Sequence, residues 1–141
     1  MLRISLICQG KLKEKYYAEA CAEYRKRLSA YGGADIIELP EDGDIAAKIP
    51  KGSYVIAMAI EGEKLSSEQL AQRMQRLALD GKSRLCFLIG GSEGLPEEVK
   101  RAADMRLSMS DMTFPHHLAR VMVLEQIYRA FMINAGTKYH K

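Results

Sequence analysis

The sequence contains few cysteines, and none of them is placed for a disulfide framework or a zinc site. Cys8, Cys21 and Cys86 are odd in number, lie far apart and include no Cys-x-x-Cys pair. Cys8 and Cys86 fall in apolar runs, where a buried, reduced thiol is the ordinary explanation. The pattern therefore indicates a protein of a reducing compartment.

Long apolar runs are also missing. No stretch approaches the roughly 18 apolar residues that a helix needs to cross a bilayer. The N-terminal apolar run at residues 4–8 is too short for the core of a signal peptide. We therefore expect a soluble, cytoplasmic protein with no membrane partner.

A large excess of charge of one sign is absent as well. The 21 lysines and arginines against 18 acidic residues give a formal net charge of +3, so the whole molecule attracts polyanions only weakly. RNA binding would have to depend on local patches. A solvated helix face is the usual meaning of clustered basic residues; a phosphate-contacting surface is the other interpretation. The basic N-terminal region contains Lys11, Lys13, Lys15, Arg25, Lys26 and Arg27.

Apolar residues, by contrast, are plentiful at 48% of 141 positions, which is enough for the core of one compact domain over residues 1–141. Apolar runs rich in branched side chains alternate with helical patterns, and this alternation predicts an α/β fold. The predicted strands cover residues 2–8, 35–39, 54–60, 85–89 and 105–108. Helices are predicted at 13–31, from a Ser66–Gln69 capping box to Gly81, after Pro96, and at 118–134.

The last predicted helix is apolar nearly all round. Val121, Leu124, Tyr128 and Phe131 form one stripe, and further apolar residues cover much of the remaining surface. Such a helix must be buried from several sides, and a partner subunit is the simplest source of that cover in a small domain. The pattern favours a homodimer, with a central core helix in a monomer as the alternative.

Two features could carry chemistry. The glycine loop, residues 90–94, follows a buried strand at the edge of the sheet where α/β proteins bind ligands, although a structural tight turn explains it about as well. His116 follows Pro115 at the mouth of the last helix, where it could cap the helix or touch substrate. Arg120 lies one turn further and could share that face, whereas pairing with Glu125 or solvent is the alternative. The three histidines lack metal-ligand spacing, so no metal is expected.

Three further segments stand in a fixed order along the chain: Gly90–Leu95, Leu107–His116, and Arg120–Ala130 with the closing Tyr139-His140-Lys141. The glycine loop alone is unspecific, but its order and spacing relative to the Pro-His segment and the Tyr-His tail are specific. Taken together, the three segments resemble the ribosomal RNA large subunit methyltransferase H family, a single-domain branch of the SPOUT methyltransferases. Gly10-Lys11-Leu12-Lys13 and Glu23-Tyr24 extend the resemblance over essentially the whole chain.

The resemblance implies a mostly parallel sheet with helices on both faces and a C-terminal trefoil knot, an exception to the rule that chains avoid knots. It implies a homodimer with the last helix at the interface. It further implies methylation, with S-adenosylmethionine, of N3 of a pseudouridine in helix 69 of 23S rRNA on assembled ribosomes. A SPOUT enzyme acting on tRNA and a non-catalytic ribosome-binding protein of the same fold are the alternatives.

Site residues follow from the resemblance position by position. The catalytic candidates are His140 with Tyr139, reaching across the dimer into the partner's pocket, and Arg120; His116 and Arg129 join these three in binding substrate. Without the resemblance, a disordered basic end would be preferred for the tail. The residues implied for S-adenosylmethionine are Met58, Gly90, Gly91, Met109, Ser110, Asp111, Met112, Thr113 and Phe114, with Glu93 nearby.

Overall fold

The computed structural model describes residues 2–140, which form five strands, four α-helices and two short 3-10 turns. The 3-10 turns cover Ser29–Tyr31 and Ala46–Lys48. In chain order the other elements are β1 (Arg3–Gln9), α1 (Lys15–Leu28), β2 (Ala34–Leu39), β3 (Tyr54–Lys64), α2 (Ser67–Leu79), β4 (Arg84–Ile89), α3 (Glu97–Ala102), β5 (Met105–Ser108) and α4 (His116–Asn134).

The five strands form one sheet in the order β2-β1-β4-β3-β5, and every neighbouring pair is parallel. All carboxyl ends of the strands therefore meet at one edge. The predicted α/β fold with a mostly parallel sheet is confirmed, whereas the trefoil knot stays a prediction.

Helices cover both faces of the sheet, as predicted, but unequally. Side chains alternate along β1 and β4, so that Leu6 and Phe87 face one side while Ile7 and Leu88 face the other. The larger core lies under α1, α2 and α4. The smaller core is covered by the segment around Ile45 and by the six-residue α3. Both central strands are buried on two faces, which explains their nearly continuous apolar sequence.

Most predicted boundaries lie close to the observed ones. The capping box is confirmed, because the Ser66 hydroxyl accepts from the Gln69 N–H and the Gln69 side chain accepts from the Ser66 N–H. The predicted end of β3 at Ile60 is wrong. This strand continues to Lys64 because, after an irregularity between Met58 and Glu63, it pairs again with β5.

Helix α4 begins at His116, two residues before the predicted start, and packs against both α1 and α2. Every residue from His116 to Ile133 is buried or half-buried within the single chain. The half-buried positions include Val121, Tyr128 and Phe131 of the predicted stripe. Much of the apolar cover of α4 is thus intramolecular, and the homodimer stays a prediction.

None of the helices within residues 2–140 combines the length and the apolar character required to cross a membrane. In the same range, no three His, Cys, Asp or Glu side chains are grouped closely enough to hold a metal ion. Cys8, Cys21 and Cys86 are buried free thiols, and burial raises the pKa of Cys8 to about 12 and of Cys86 to about 11.

Candidate active site

A cleft of about 730 Å³ lies at the carboxyl edge of the sheet, where β4 and β5 end and β3 passes through residues 58–61. This volume is in the range of small-molecule sites, and its position is the usual one for ligands of α/β proteins. Eight of the nine residues predicted to bind the cofactor line it. They are Met58, Gly90, Gly91, Met109, Ser110, Met112, Thr113 and Phe114.

The glycine loop after β4 forms one wall of the cleft as a tight turn. The Gly94 N–H donates to the Gly91 carbonyl over 3.0 Å. A Cβ atom at Gly90 would lie 2.3 Å from the Gly94 carbonyl carbon and 2.4 Å from the Leu95 nitrogen. Because these are backbone atoms that cannot rotate away, Gly90 is required by the close approach of two chain segments.

The carboxylate of Glu41, from the segment after β2, holds the same loop from outside. It accepts the Ser92 N–H at 2.8 Å and the Ser92 hydroxyl at 3.0 Å. These two bonds lower the pKa of Glu41 from its ordinary value. A Cβ atom at Gly91 would lie 2.2 Å from this carboxylate, and one at Gly10 would lie 2.6 Å from it. Glu41 therefore fits between two glycine backbones and fixes the loop.

The segment after β5 forms the opposite wall. The Ser108 hydroxyl donates to the Ser110 carbonyl at 3.0 Å, and the Ser110 hydroxyl accepts the Met112 N–H at 3.0 Å. Asp111 departs from the prediction, because its carboxylate is 84% exposed, pairs with Lys64 and does not line the cleft. Met112 lines the cleft although it is 73% exposed, which leaves an apolar side chain available to a ligand or a partner.

An ion cluster that the sequence did not predict lies at the rim of the cleft. Lys100 of α3 contacts the carboxylate of Glu61 at 2.8 Å and that of Glu97 at 3.3 Å. The bond from Lys100 lowers the pKa of Glu61. Glu61 and Glu93 also line the cleft, so a cationic ligand would meet carboxylates there.

His116 also lines the cleft, and its predicted contact with substrate stays a prediction. The capping interpretation is wrong, because Pro115 is the N-cap of α4 and no side chain caps it. Burial lowers the pKa of His116, with His117 and Arg120 adding smaller shifts in the same direction. The imidazole is therefore neutral at pH 7.

Arg120 does not line the cleft, so its predicted catalytic and substrate roles stay predictions. Its side chain is 1% exposed, donates to the Gly10 carbonyl at 2.9 Å and pairs with Glu38. Glu38 also accepts the N–H of Leu12 at 3.1 Å. Arg120 pairs with Glu38 rather than with Glu125, whereas the Glu125 pairing is made by Arg129. Through these contacts Arg120, which lies on α4, links this helix to Gly10 just after β1 and to Glu38 near the end of β2.

The C-terminal tail, residues 137–140, folds onto its own chain and lies outside the cleft. The Tyr139 hydroxyl donates to Glu125, and this bond is the main cause that raises the Tyr139 pKa to about 12. Arg129 also pairs with Glu125, at 3.1 Å, and contacts His140 Nδ1 at 3.1 Å. His140 Nε2 lies 3.0 Å from the Glu68 carboxylate.

Arg129, Tyr139 and His140 do not line the cleft, so one chain does not bring the predicted catalytic tail to the predicted cofactor site. Their roles across a dimer stay predictions. Lys141, the last residue of the tail motif, lies outside the described residues. Glu41 was not predicted from the sequence, although an acidic residue just after β2, at the ligand-binding edge, is a usable signal.

Comparison with known proteins identifies the relatives of this chain. The family model described as "Predicted SPOUT methyltransferase" matches residues 2–140. Ribosomal RNA large subunit methyltransferase H of Clostridioides difficile strain 630 is 48% identical over 159 residues, covering 99% of this chain and 100% of the relative. The protein of the same name from Bifidobacterium animalis subsp. lactis strain AD011 is 46% identical with the same coverage.

Solved structures agree on the fold. A probable methyltransferase from Bordetella pertussis Tohama I matches with a TM-score of 0.62 at 9% identity, covering 92% of this chain and 96% of that one. The tRNA (m1G37) methyltransferase of Aquifex aeolicus matches with a TM-score of 0.54 at 18% identity, covering 91% and 69%. With the family match over residues 2–140, the chain is a methyltransferase that belongs to the SPOUT family, together with the ribosomal RNA large subunit methyltransferase H proteins.

Proposed function

We propose that this protein transfers a methyl group from S-adenosylmethionine to N3 of a pseudouridine in helix 69 of 23S rRNA. It acts in the cytoplasm, on assembled ribosomes, as a homodimer. The observation that carries the proposal is the cleft at the carboxyl edge of the sheet, lined by eight of the nine predicted cofactor residues. The relatives are ribosomal RNA methyltransferases by name, which supports rRNA as the substrate.

The cleft suits the cofactor chemically. Met58, Met109 and Phe114 offer apolar surface to an adenine ring, and the backbone of the two loop walls offers hydrogen-bonding groups. The carboxylates of Glu61 and Glu93 complement the cofactor's positive charges. When bound, S-adenosylmethionine supplies an electrophilic methyl group, so the protein's main tasks are to place the acceptor nitrogen and to favour its deprotonated form.

Residues of this chain can perform those two tasks. N3 of a pseudouridine carries an imide proton, and the anion left by its removal is the better nucleophile. Alignment in the cleft supplies a large part of the acceleration. The neutral imidazole of His116 lies at the cleft, where it can orient the base. His140, with Tyr139 beside it, accepts the proton or stabilises the anion, together with the Arg129 cation.

The tail acts in the cleft of the partner subunit. Tyr139 and His140 do not line the cleft of their own chain, and the resemblance implies that the last helix forms the dimer interface. The half-buried apolar side chains of α4, Val121, Met122 and Phe131, offer a surface for such an interface. An interface along α4 would bring the tail, which packs on that helix, close to the second chain.

Mass analysis of large-subunit rRNA from cells that lack the protein tests the proposed function. We expect the loss of one methyl group on a helix 69 pseudouridine, and its return when the wild-type protein is supplied. Purified protein should methylate ribosomes and leave tRNA unmodified. Methylation of tRNA alone would favour the tRNA enzyme, and failure to bind S-adenosylmethionine would favour a non-catalytic binding protein.

Replacing His140 with alanine tests the catalytic role of the tail. We expect turnover on ribosomes to fall by about 100-fold, the usual contribution of a positioned acid or base, while the affinity for S-adenosylmethionine stays within twofold. Lys138→Ala is the matched control, since Lys138 is an exposed tail residue, and it should keep nearly full turnover. Equal losses of turnover and cofactor affinity in His140→Ala would remove His140 from the catalytic residues.

A further inference from the structure

Four aromatic rings form a continuous path from the cleft to the protein surface. The ring centroids of His116 and His117 are 4.2 Å apart, those of His117 and Tyr17 are 6.4 Å apart, and those of Tyr17 and Tyr16 are 4.6 Å apart. Each step has edge-to-face geometry, which is a favourable arrangement for aromatic pairs. His116 lines the cleft, and Tyr16 is 64% exposed at the other end of the path.

Three lysines precede the exposed end of this path in the chain. Lys11, Lys13 and Lys15 precede Tyr16 on the segment that leads into α1, and all three are exposed. The segment starts beside the cleft, because a Cβ atom at the neighbouring Gly10 would lie 3.9 Å from His116 Nε2. We call residues 11–16 the Lys11–Tyr16 surface.

The positive charge of the Lys11–Tyr16 surface is only partly neutralised. Lys15 lies 3.9 Å from the Glu19 carboxylate, whereas Lys11 and Lys13 make no salt bridge with any carboxylate of residues 2–140. The Glu14 carboxylate faces inward and contacts His117 at 3.4 Å. The first turn of α1 contains no acidic residue. Lysines near the positive end of a helix are unfavourable for stability, so this arrangement favours an anionic partner.

We propose that the Lys11–Tyr16 surface binds an unpaired stretch of the RNA substrate next to the nucleotide that enters the cleft. Tyr16 stacks on one base, while Lys11 and Lys13 contact backbone phosphates. This inference rests on the proposed function, since it assigns a binding surface to that function's substrate. An exposed aromatic ring flanked by cations is the usual combination for binding single-stranded nucleic acid.

The proposal explains how a protein with little net charge can bind RNA. An enzyme that modifies a base edge must take that base out of its stack, and the neighbouring bases then lose stacking partners. A ring at the end of a path that starts in the cleft can replace one of them. We therefore expect both base stacking and charge attraction to contribute to RNA binding at the Lys11–Tyr16 surface.

The variant Tyr16→Ala tests the stacking contact, with methylation of ribosomes and binding to a helix 69 stem-loop RNA as readouts. We expect KM and the RNA dissociation constant to rise about tenfold, while kcat and the affinity for S-adenosylmethionine stay within twofold. Tyr16→Phe retains the ring and should behave like the wild type. Leu79→Ala is the matched control, because Leu79 is an 82% exposed apolar residue at the end of α2.

Lys13→Ala tests the phosphate contact separately. RNA binding should weaken severalfold and depend less steeply on salt concentration, whereas Lys82→Ala, an exposed lysine just after α2, should leave both unchanged. If the wild type methylates ribosomes but Tyr16→Ala leaves RNA binding and KM unaltered, the proposed role of the Lys11–Tyr16 surface is wrong. The proposed function of the protein would not be affected by that result. A wild-type protein that neither methylates nor binds these RNAs would refute both.

Discussion

The cleft and the C-terminal tail are built in opposite ways. The cleft is formed by backbone from successive strand ends, and a single chain completes its walls. The tail depends on long side chains that pair with one another on the surface of α4: Tyr139 with Glu125, and Arg129 with both Glu125 and His140. One region is fixed by close packing, whereas the other is held by half-exposed polar contacts.

The proposed function assigns two separate steps to these two regions. In that proposal the cleft of each subunit binds the methyl donor, and the tail serves the cleft of a second chain, because Tyr139 and His140 do not line the cleft of their own chain.

The largest expected effect is on the cleft alone. Gly90→Val would force a side chain against the Gly94 and Leu95 backbone. Overpacking of this kind costs about 1–3 kcal/mol, and we expect the affinity for S-adenosylmethionine to fall by up to about 100-fold in calorimetry.

Gly52→Ala is the control for this substitution. Gly52 has a positive φ, of +78°, and no atom lies within 4 Å of an added Cβ. It should cost about 1 kcal/mol of stability through backbone strain and leave cofactor affinity unchanged. Normal cofactor binding by Gly90→Val would contradict the close-packed description of the loop.

An effect of comparable size, on stability instead of cofactor affinity, should decide whether Arg120 belongs to the site or to the framework. Arg120→Met removes the partner of Glu38 from a nearly buried pair, and we expect a loss of about 3 kcal/mol in urea unfolding, near the lower limit for such pairs because Glu38 is partly exposed. The double variant Arg120→Met/Glu38→Gln should recover part of that loss. Unchanged stability together with lost methylation would return Arg120 to the substrate contacts.

The smallest effect concerns Glu41, which supports the cleft from outside. Its carboxylate has a pKa below the ordinary 4.5, so its stabilising bonds to Ser92 are fully present above pH 4.5 and are lost as the pH falls through the lower, folded value. The Tm of the wild type should therefore fall between pH 6 and pH 3, and the Tm of Glu41→Gln should fall less over the same range. The same slope in both proteins would contradict this role.

The sequence predicted the parallel α/β fold and the cleft because both depend on local signals. The buried strand at 85–89 and the glycine loop after it determine where a ligand site must lie, and the segment after β5 adds the second wall. The resemblance supplied the individual residues, of which Asp111 is the exception. The spacing of residues along the chain does not indicate which side chain of an exposed loop faces the cleft, and Asp111 pairs with Lys64 instead.

The contacts that the sequence did not predict are long-range and polar. Arg120 and Glu38 are 82 positions apart, and helical periodicity cannot tell whether an arginine next to a site faces substrate or core. Glu41 and Ser92 are 51 positions apart and belong to two loops without periodicity. Such pairs are fixed by the order of strands in the sheet, which local patterns do not encode.

Complementation between two inactive variants tests the division between cleft and tail most directly. Gly90→Val and His140→Ala are each impaired for a different reason, so a mixed dimer would contain one site with an intact cleft and an intact partner tail. Because half of randomly assembled dimers are mixed, we predict that co-assembly restores about a quarter of wild-type methylation of ribosomes. Activity no higher than that of the separate variants would show that each tail serves its own cleft and would contradict the account.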